Sequence, residues 1–168
     1  MPIPFIKVKS LKTKGFKDEV ISIEAIKTRG LGQLQLTGLP DAWLRDVKEK
    51  IRCLVSSVVS WGSLDRVLIH LLPAGMEKHG AHLELPIALA AIAVLDERFA
   101  AKLSPFIEEY YFVGSLSLTG EIVSTPESLV WQKMKTLKIA GAPQYTNIRA
   151  LYADIMNEDF PRKNSQTN

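Results

Sequence analysis

The sequence predicts an α/β domain of the two-layer α+β kind, a mixed sheet packed against helices, and three observations carry that expectation. Glu19 to Thr28 and Gln33 to Thr37 alternate apolar and polar residues, and Arg66 to Leu72 is a third strand-like run. Asp41 to Ser57 places Leu44, Val47, Ile51, Leu54, Val55 and Val58 at helical spacing, which gives one apolar stripe. Leu85 to Leu95 is apolar on every side, the pattern of a helix buried between layers.

The elements follow in order. Pro4 to Lys9 reads as a short strand. Gly30 and Gly32 punctuate the next two strand patterns, so Glu19–Thr28 and Gln33–Thr37 are expected to form a hairpin. Gly38-Leu39-Pro40-Asp41 stops the sheet and opens a helix, with Pro and Asp suited to its first turn. Gly62 and Ser63 end that helix ahead of the strand Arg66–Leu72. A loop from Pro73 then feeds the buried helix, expected from Leu85 to Glu97. Tyr110 to Val113 reads as strand, and Ser115–Leu118 and Glu121–Ser124 as a hairpin about Thr119-Gly120. Pro126 opens a helix to Leu137, Ala140 to Pro143 is a break, and Asn147 to Met156 is a last helix. No linker or repeat divides the chain, so residues 1–158 are expected to form one domain and 159–168 a polar, disordered tail.

Composition narrows the function classes. The 168 residues are 46% apolar and 23% charged, as in a globular protein with its own core. The apolar run Leu85–Leu95 is well short of the roughly 20 residues that span a bilayer, so no membrane role is expected. The start of the chain has no signal-peptide pattern. A single cysteine, Cys53, excludes an internal disulfide framework and suits a reducing compartment, which points to the cytoplasm.

The net charge of +3 is unevenly spread: Lys7, Lys9, Lys12, Lys14 and Lys17 all precede the first acid, Asp18. Such a run either attracts phosphate backbones or keeps a sheet edge soluble. A second basic group, Arg45, Lys48 and Arg52, flanks the apolar stripe of the first helix. Asp46 and Lys50, and Arg45 and Glu49, are four apart, so local pairing is expected there. Cys53 falls opposite the stripe and has no neighbouring His to make it a nucleophile.

The loop Lys78-His79-Gly80-Ala81-His82-Leu83-Glu84 is the strongest place to look for chemistry, because glycines let a backbone approach closely and a helix start presents free N–H groups. His79 and His82, with Glu77 and Glu84 nearby and His70 on the preceding strand, are potential metal ligands. Zinc needs three or four ligands in fixed geometry, and neither a His-Glu-x-x-His helix nor a Cys pair is present. The expectation is no metal and no cofactor, with the histidines capping or hydrogen-bonding the helix start.

Four segments together resemble the N-terminal domain of the ComM and magnesium-chelatase-like AAA+ family. They are Leu36-Thr-Gly-Leu-Pro-Asp-Ala with the charged helix through Arg52, the strand and loop ending Leu72-Pro-Ala, Gly80 to Leu89, and Phe112-Val-Gly-Ser-Leu-Ser-Leu-Thr-Gly-Glu-Ile122. The resemblance covers residues 18 to 140 and implies a fold similar to the Lon protease domain. Lon-type enzymes pair a serine in the loop before the buried helix with a lysine after the later hairpin. Here the loop from Lys78 to Glu84 holds no Ser, Thr or Cys, Ala81 or His82 stands nearest the serine's place, and the first lysine after Gly120-Glu121 is Lys133. A weak hydroxyl nucleophile needs an adjacent base, and both halves are missing, so no enzyme activity is expected. The family's ATPase module needs a Gly-x-x-x-x-Gly-Lys-Ser/Thr loop, and no Gly-Lys dipeptide occurs. The resemblance therefore implies an accessory domain without the ATPase. It would support DNA processing in natural transformation or recombination, with DNA, an AAA+ motor or a ring of its own copies as partner. The alternative is a protein-interaction pseudoenzyme domain with no DNA contact.

Overall fold

The computed structural model describes residues 4–14, 16–39, 41–73, 80–134, 137–141 and 144–161. β1 (Phe5–Lys14) and β2 (Lys17–Arg29) form a long antiparallel hairpin, in register from Phe5 opposite Ile26 to Lys14 opposite Lys17. β3 (Leu34–Thr37) leads into α1 (Asp41–Val58), and β4 (Asp65–Leu72) returns to the sheet. The order is β1-β2-β4-β3, with β4 antiparallel to β2 and parallel to β3, so the sheet is mixed as expected.

The expected hairpin between Glu19–Thr28 and Gln33–Thr37 does not form. A strand has two edges, and both edges of β2 are taken, one by β1 and the other by β4. β3 joins the far side of β4 instead, where Leu34 and Leu36 are buried. Gly30 and Gly32 donate to the carbonyls of Leu64 and Ser63, so that glycine loop is stitched to the entry of β4. Gly38 lies at φ 85, and a Cβ there would stand 2.4 Å from the Leu71 carbonyl oxygen. A side chain at this position is excluded both by conformation and by space.

A 3₁₀ turn, Ala81–Leu83, opens α2 (Glu84–Leu95), whose residues from Glu84 to Val94 are all buried. Pro86 is tolerated because the first-turn N–H groups of a helix have no intrahelical partner. α3 (Glu97–Ile107) follows, and the sequence pattern above did not anticipate it. Its signal is Asp96, whose carboxylate accepts from the Arg98 and Phe99 N–H groups at 3.0 and 3.3 Å as an N-cap. β5 (Tyr110–Phe112), β6 (Ser115–Leu116) and β7 (Ile122–Val123) come next, and β6 and β7 make the expected hairpin. α4 (Pro126–Gln132) starts at Pro126 as expected but ends short of Leu137, because β8 (Lys138–Ala140) pairs in parallel with β5. α5 (Ile148–Met156) closes the described fold.

The core lies between the sheet and α2. Ile6 and Val8, Ile21, Ile23 and Ala25, Val67, Ile69 and Leu71 face it from three strands. Each fully buried Leu or Ile contributes about 1.5–3 kcal/mol relative to exposure, so this layer dominates the fold's stability. α1 adds Val47, Ile51, Leu54 and Val55, the stripe read from its spacing, and Cys53 is exposed on the other side. On the opposite flank Phe99 of α3 stacks on Tyr152 of α5 at 5.0 Å, and the Tyr152 hydroxyl donates to Asp96 at 2.7 Å. Burial and the Asp96 carboxylate push the Tyr152 pKa up to about 12. Phe160, placed in the tail by sequence, is instead a core residue that packs on Phe106, Tyr110 and Tyr145. Aromatic burial outweighs the polarity of its neighbours. Among the described residues no helix is long and apolar enough to cross a membrane.

Candidate functional site

The polar side chains described at the start of α2 are engaged by the protein itself. Gly80 sits at φ 142, and a Cβ there would be 2.7 Å from the His82 Nδ1, so only glycine leaves room for that ring. His82 is 5% exposed and reaches across to β1, its Nε2 lying 2.8 Å from the Leu11 carbonyl oxygen. That oxygen can only accept, so Nε2 carries the proton. The ring meets Trp131 of α4 edge-on at 5.1 Å. Burial lowers the His82 pKa, against the smaller opposing pulls of the Leu11 carbonyl and Glu127. The expectation that His82 caps the helix start is corrected here: the N-cap residues Gly80 and Leu83 make no side-chain cap bond, and the His82 imidazole is spent on a strand instead. His70 is held elsewhere, 2.7 Å from the Thr37 hydroxyl, on the register row shared by β3 and β4. Glu77, Lys78 and His79 lie outside the described residues. Among the described residues no three of His, Cys, Asp and Glu are grouped to hold a metal.

Glu84 is the other polar side chain of this segment and is also buried. Its Oε2 accepts from the Leu116 N–H at 2.8 Å and more weakly from the Ser115 hydroxyl at 3.5 Å. The Lys50 ammonium sits 2.8 Å from the same oxygen. The local pairing of Lys50 with Asp46 expected along α1 gives way to this long-range bond, because a carboxylate in the interior needs a cation more than one in water does. The bond ties α1, α2 and β6 together at one point. The Ser115 hydroxyl and the Lys50 ammonium thus meet the same Glu84 oxygen.

The two basic groups fall at opposite edges of the sheet, one on β1 and the other on α1, which packs against β3. On β1, Lys7 is exposed, stands opposite Glu24 and lines a groove of about 510 Å³ between β1 and α3. Lys9 donates to the Glu108 carbonyl and lies 5.0 Å over the Tyr111 ring. Lys12 stands opposite Glu19 and is half-buried, while Lys14 and Lys17 form the last rung of the hairpin, with Lys17 exposed. On α1, Arg45 is exposed and Lys48 half-buried. The Arg52 guanidinium donates to the Gly32 carbonyl and lies 4.8 Å over the Trp61 ring, which makes it a brace for the glycine loop. Sequence reasoning missed the hairpin itself, and with it Phe16, which stands at the tip between the lysines.

Residues 23–142 match the family described as subunit ChlI of Mg-chelatase. The chain belongs to this family. Competence protein ComM of Haemophilus influenzae is 28% identical over 151 residues, which is 88% of this chain and 29% of that protein. The uncharacterized protein YifB of Escherichia coli is 31% identical over 112 residues, 65% of this chain and 21% of YifB. An uncharacterized protein of Mycobacterium tuberculosis is 29% identical over 113 residues, 67% of this chain and 22% of that protein. The chain thus spans less than a third of the length of these relatives, as a related accessory domain. The ChlI match begins at Ile23, inside β2, and takes in α1, the start of α2 and the β6–β7 hairpin. The hairpin tip with its lysines precedes the matched span.

Proposed function

We propose that this ChlI-family domain is a non-catalytic accessory module that binds nucleic acid in DNA processing, in keeping with the competence named in its relative ComM. The observation that carries the reading is a contrast in how polar groups are used. His82 and Glu84, at the place where a Lon-type nucleophile would sit, are buried and bonded to the protein itself, whereas Lys7 and Lys17 of the β1–β2 hairpin face solvent. A surface that neutralises phosphates with lysines binds non-specifically at about 10⁻⁴–10⁻⁶ M and weakens as salt rises.

Titration of labelled single- and double-stranded DNA at low and moderate salt tests this. Binding should be sequence-tolerant and salt-sensitive, and reversing Lys7, Lys14 and Lys17 to Glu should abolish it while Arg45→Glu with Lys48→Glu has the smaller effect. Peptide and ATP hydrolysis should both be undetectable. Turnover that survives repurification and vanishes in His82→Ala would overturn the non-catalytic part.

A second reading, docking of an AAA+ motor or another copy without DNA, is favoured by one specific feature. Val123 of β7 and Leu129 and Val130 of α4 are exposed, 48%, 46% and 61% respectively, on neighbouring elements. Such an interface would hold at salt concentrations that dissociate DNA.

A further inference from the structure

The β1–β2 connection holds a fully exposed aromatic ring. Phe16 has a relative exposure of 110%, as open as in an extended chain. Burying a Phe contributes about 1.5–3 kcal/mol, and none of that is realised here. Nor does the turn need it, since tight hairpin connections favour Gly, Asn and Asp. The stem beneath the ring is braced. The Asp18 carboxylate accepts from Trp131 Nε1 at 2.9 Å and from the Thr13 hydroxyl at 3.0 Å, and the Leu11 carbonyl takes the His82 bond at 2.8 Å. Leu11 itself packs with Val113 and Trp131. With the stem held, binding has to order little beyond the ring's own rotamers.

Its surroundings select the ligand. Lys17, which is exposed, follows Phe16 directly and pairs with Lys14 in the last rung of the hairpin. Lysine is depleted at the cores of protein interfaces, whereas an exposed ring beside an exposed lysine matches an unpaired base with its phosphate. We propose that Phe16 is a base-stacking residue: the tip of the hairpin places its ring against an unpaired base of single-stranded DNA, and Lys17 contacts the adjoining phosphate. The assignment rests on the DNA-binding reading above and narrows it to unpaired strands.

The test uses the full chain with a roughly 20-nucleotide single strand carrying 2-aminopurine and the matching blunt duplex. Phe16→Ala should weaken single-strand binding at least about fivefold, the range of one lost stacking contact, and leave duplex binding within about twofold. Phe16→Trp should restore the affinity, and the salt slope should be the same in all three proteins. Wild type should quench 2-aminopurine and Phe16→Ala should not. Single-strand binding by wild type that is matched by Phe16→Ala, with equal quenching, overturns the stacking role and leaves DNA binding standing. No binding of either DNA by wild type at low salt overturns both, and loss of self-association in Phe16→Ala would then give the tip to a protein partner.

Discussion

The start of α2 and the tip of the β1–β2 hairpin carry the chain's most chemically suggestive residues, and the fold treats them in opposite ways. At α2 a histidine and a glutamate are buried, each bonded to a partner from a distant part of the chain, the glutamate to a half-buried lysine of α1. At the hairpin an aromatic ring and a lysine stand in solvent on a braced arm. Polar residues in a Gly-rich loop therefore do not by themselves make a site: what counts is whether their hydrogen-bonding capacity is left over once the core is satisfied. The α2 start lies within the span that matches the ChlI family, and the hairpin tip lies before it.

The largest effect should come from the centre. Leu89→Asp puts a carboxylate into a position with no solvent exposure and should lower stability by about 3 kcal/mol or more in denaturant unfolding. A soluble variant with an unchanged midpoint would show that α2 is not the core. Next is Glu84→Ala, which strands the Leu116 N–H and the Lys50 ammonium. A loss of about 2–3 kcal/mol is expected, below that of a fully buried pair because the Lys50 side chain is 23% exposed. Glu84→Gln keeps the Leu116 bond and should lose less. Equal losses in the two would mean that the charge, not the hydrogen bond, holds β6 to α2.

A smaller effect sharpens the comparison through pH. Burial sets the folded His82 pKa below the unfolded value of about 6.5, so the unfolded chain takes up the proton first as pH falls. The stability in question is complete above that value and declines as pH drops toward the folded pKa. Wild type should lose more melting temperature between pH 7 and pH 5 than His82→Gln does. Identical slopes would mean that the imidazole is not buried as a neutral group. The smallest effect belongs to the tip: Phe16→Ala should change stability by no more than about 0.5 kcal/mol, because the ring touches nothing that folding buries. A substantial loss would move Phe16 into the packed region and erase the contrast.

Much of the α2 region was legible in the residues. The α1 stripe, the all-round apolarity of α2, the strand ending at Leu72 and the β6–β7 hairpin all appear where the spacing places them. α3 has a local signature as well, in Asp96-Glu97 ahead of Phe99 and Leu103. The β2–β3 pairing expected from the spacing does not form, because a glycine turn between alternating stretches looks the same whether the strands meet each other or meet a third. β8 and the buried Phe160 escaped for a similar reason, since each depends on a partner far along the chain.

By itself the sequence determined which faces are apolar, the family, and that no Ser, Thr or Cys stands between Lys78 and Glu84. Periodicity and composition suffice for those, because they depend on each residue and its near neighbours. Tertiary structure alone decided that Lys50 binds Glu84 and not Asp46, that Arg52 braces Gly32 and Trp61, and that the lysine run folds back on itself with Phe16 at its tip. Strand edges and buried charges are satisfied by whichever partner the whole chain brings within reach, and that competition has no signature in local spacing.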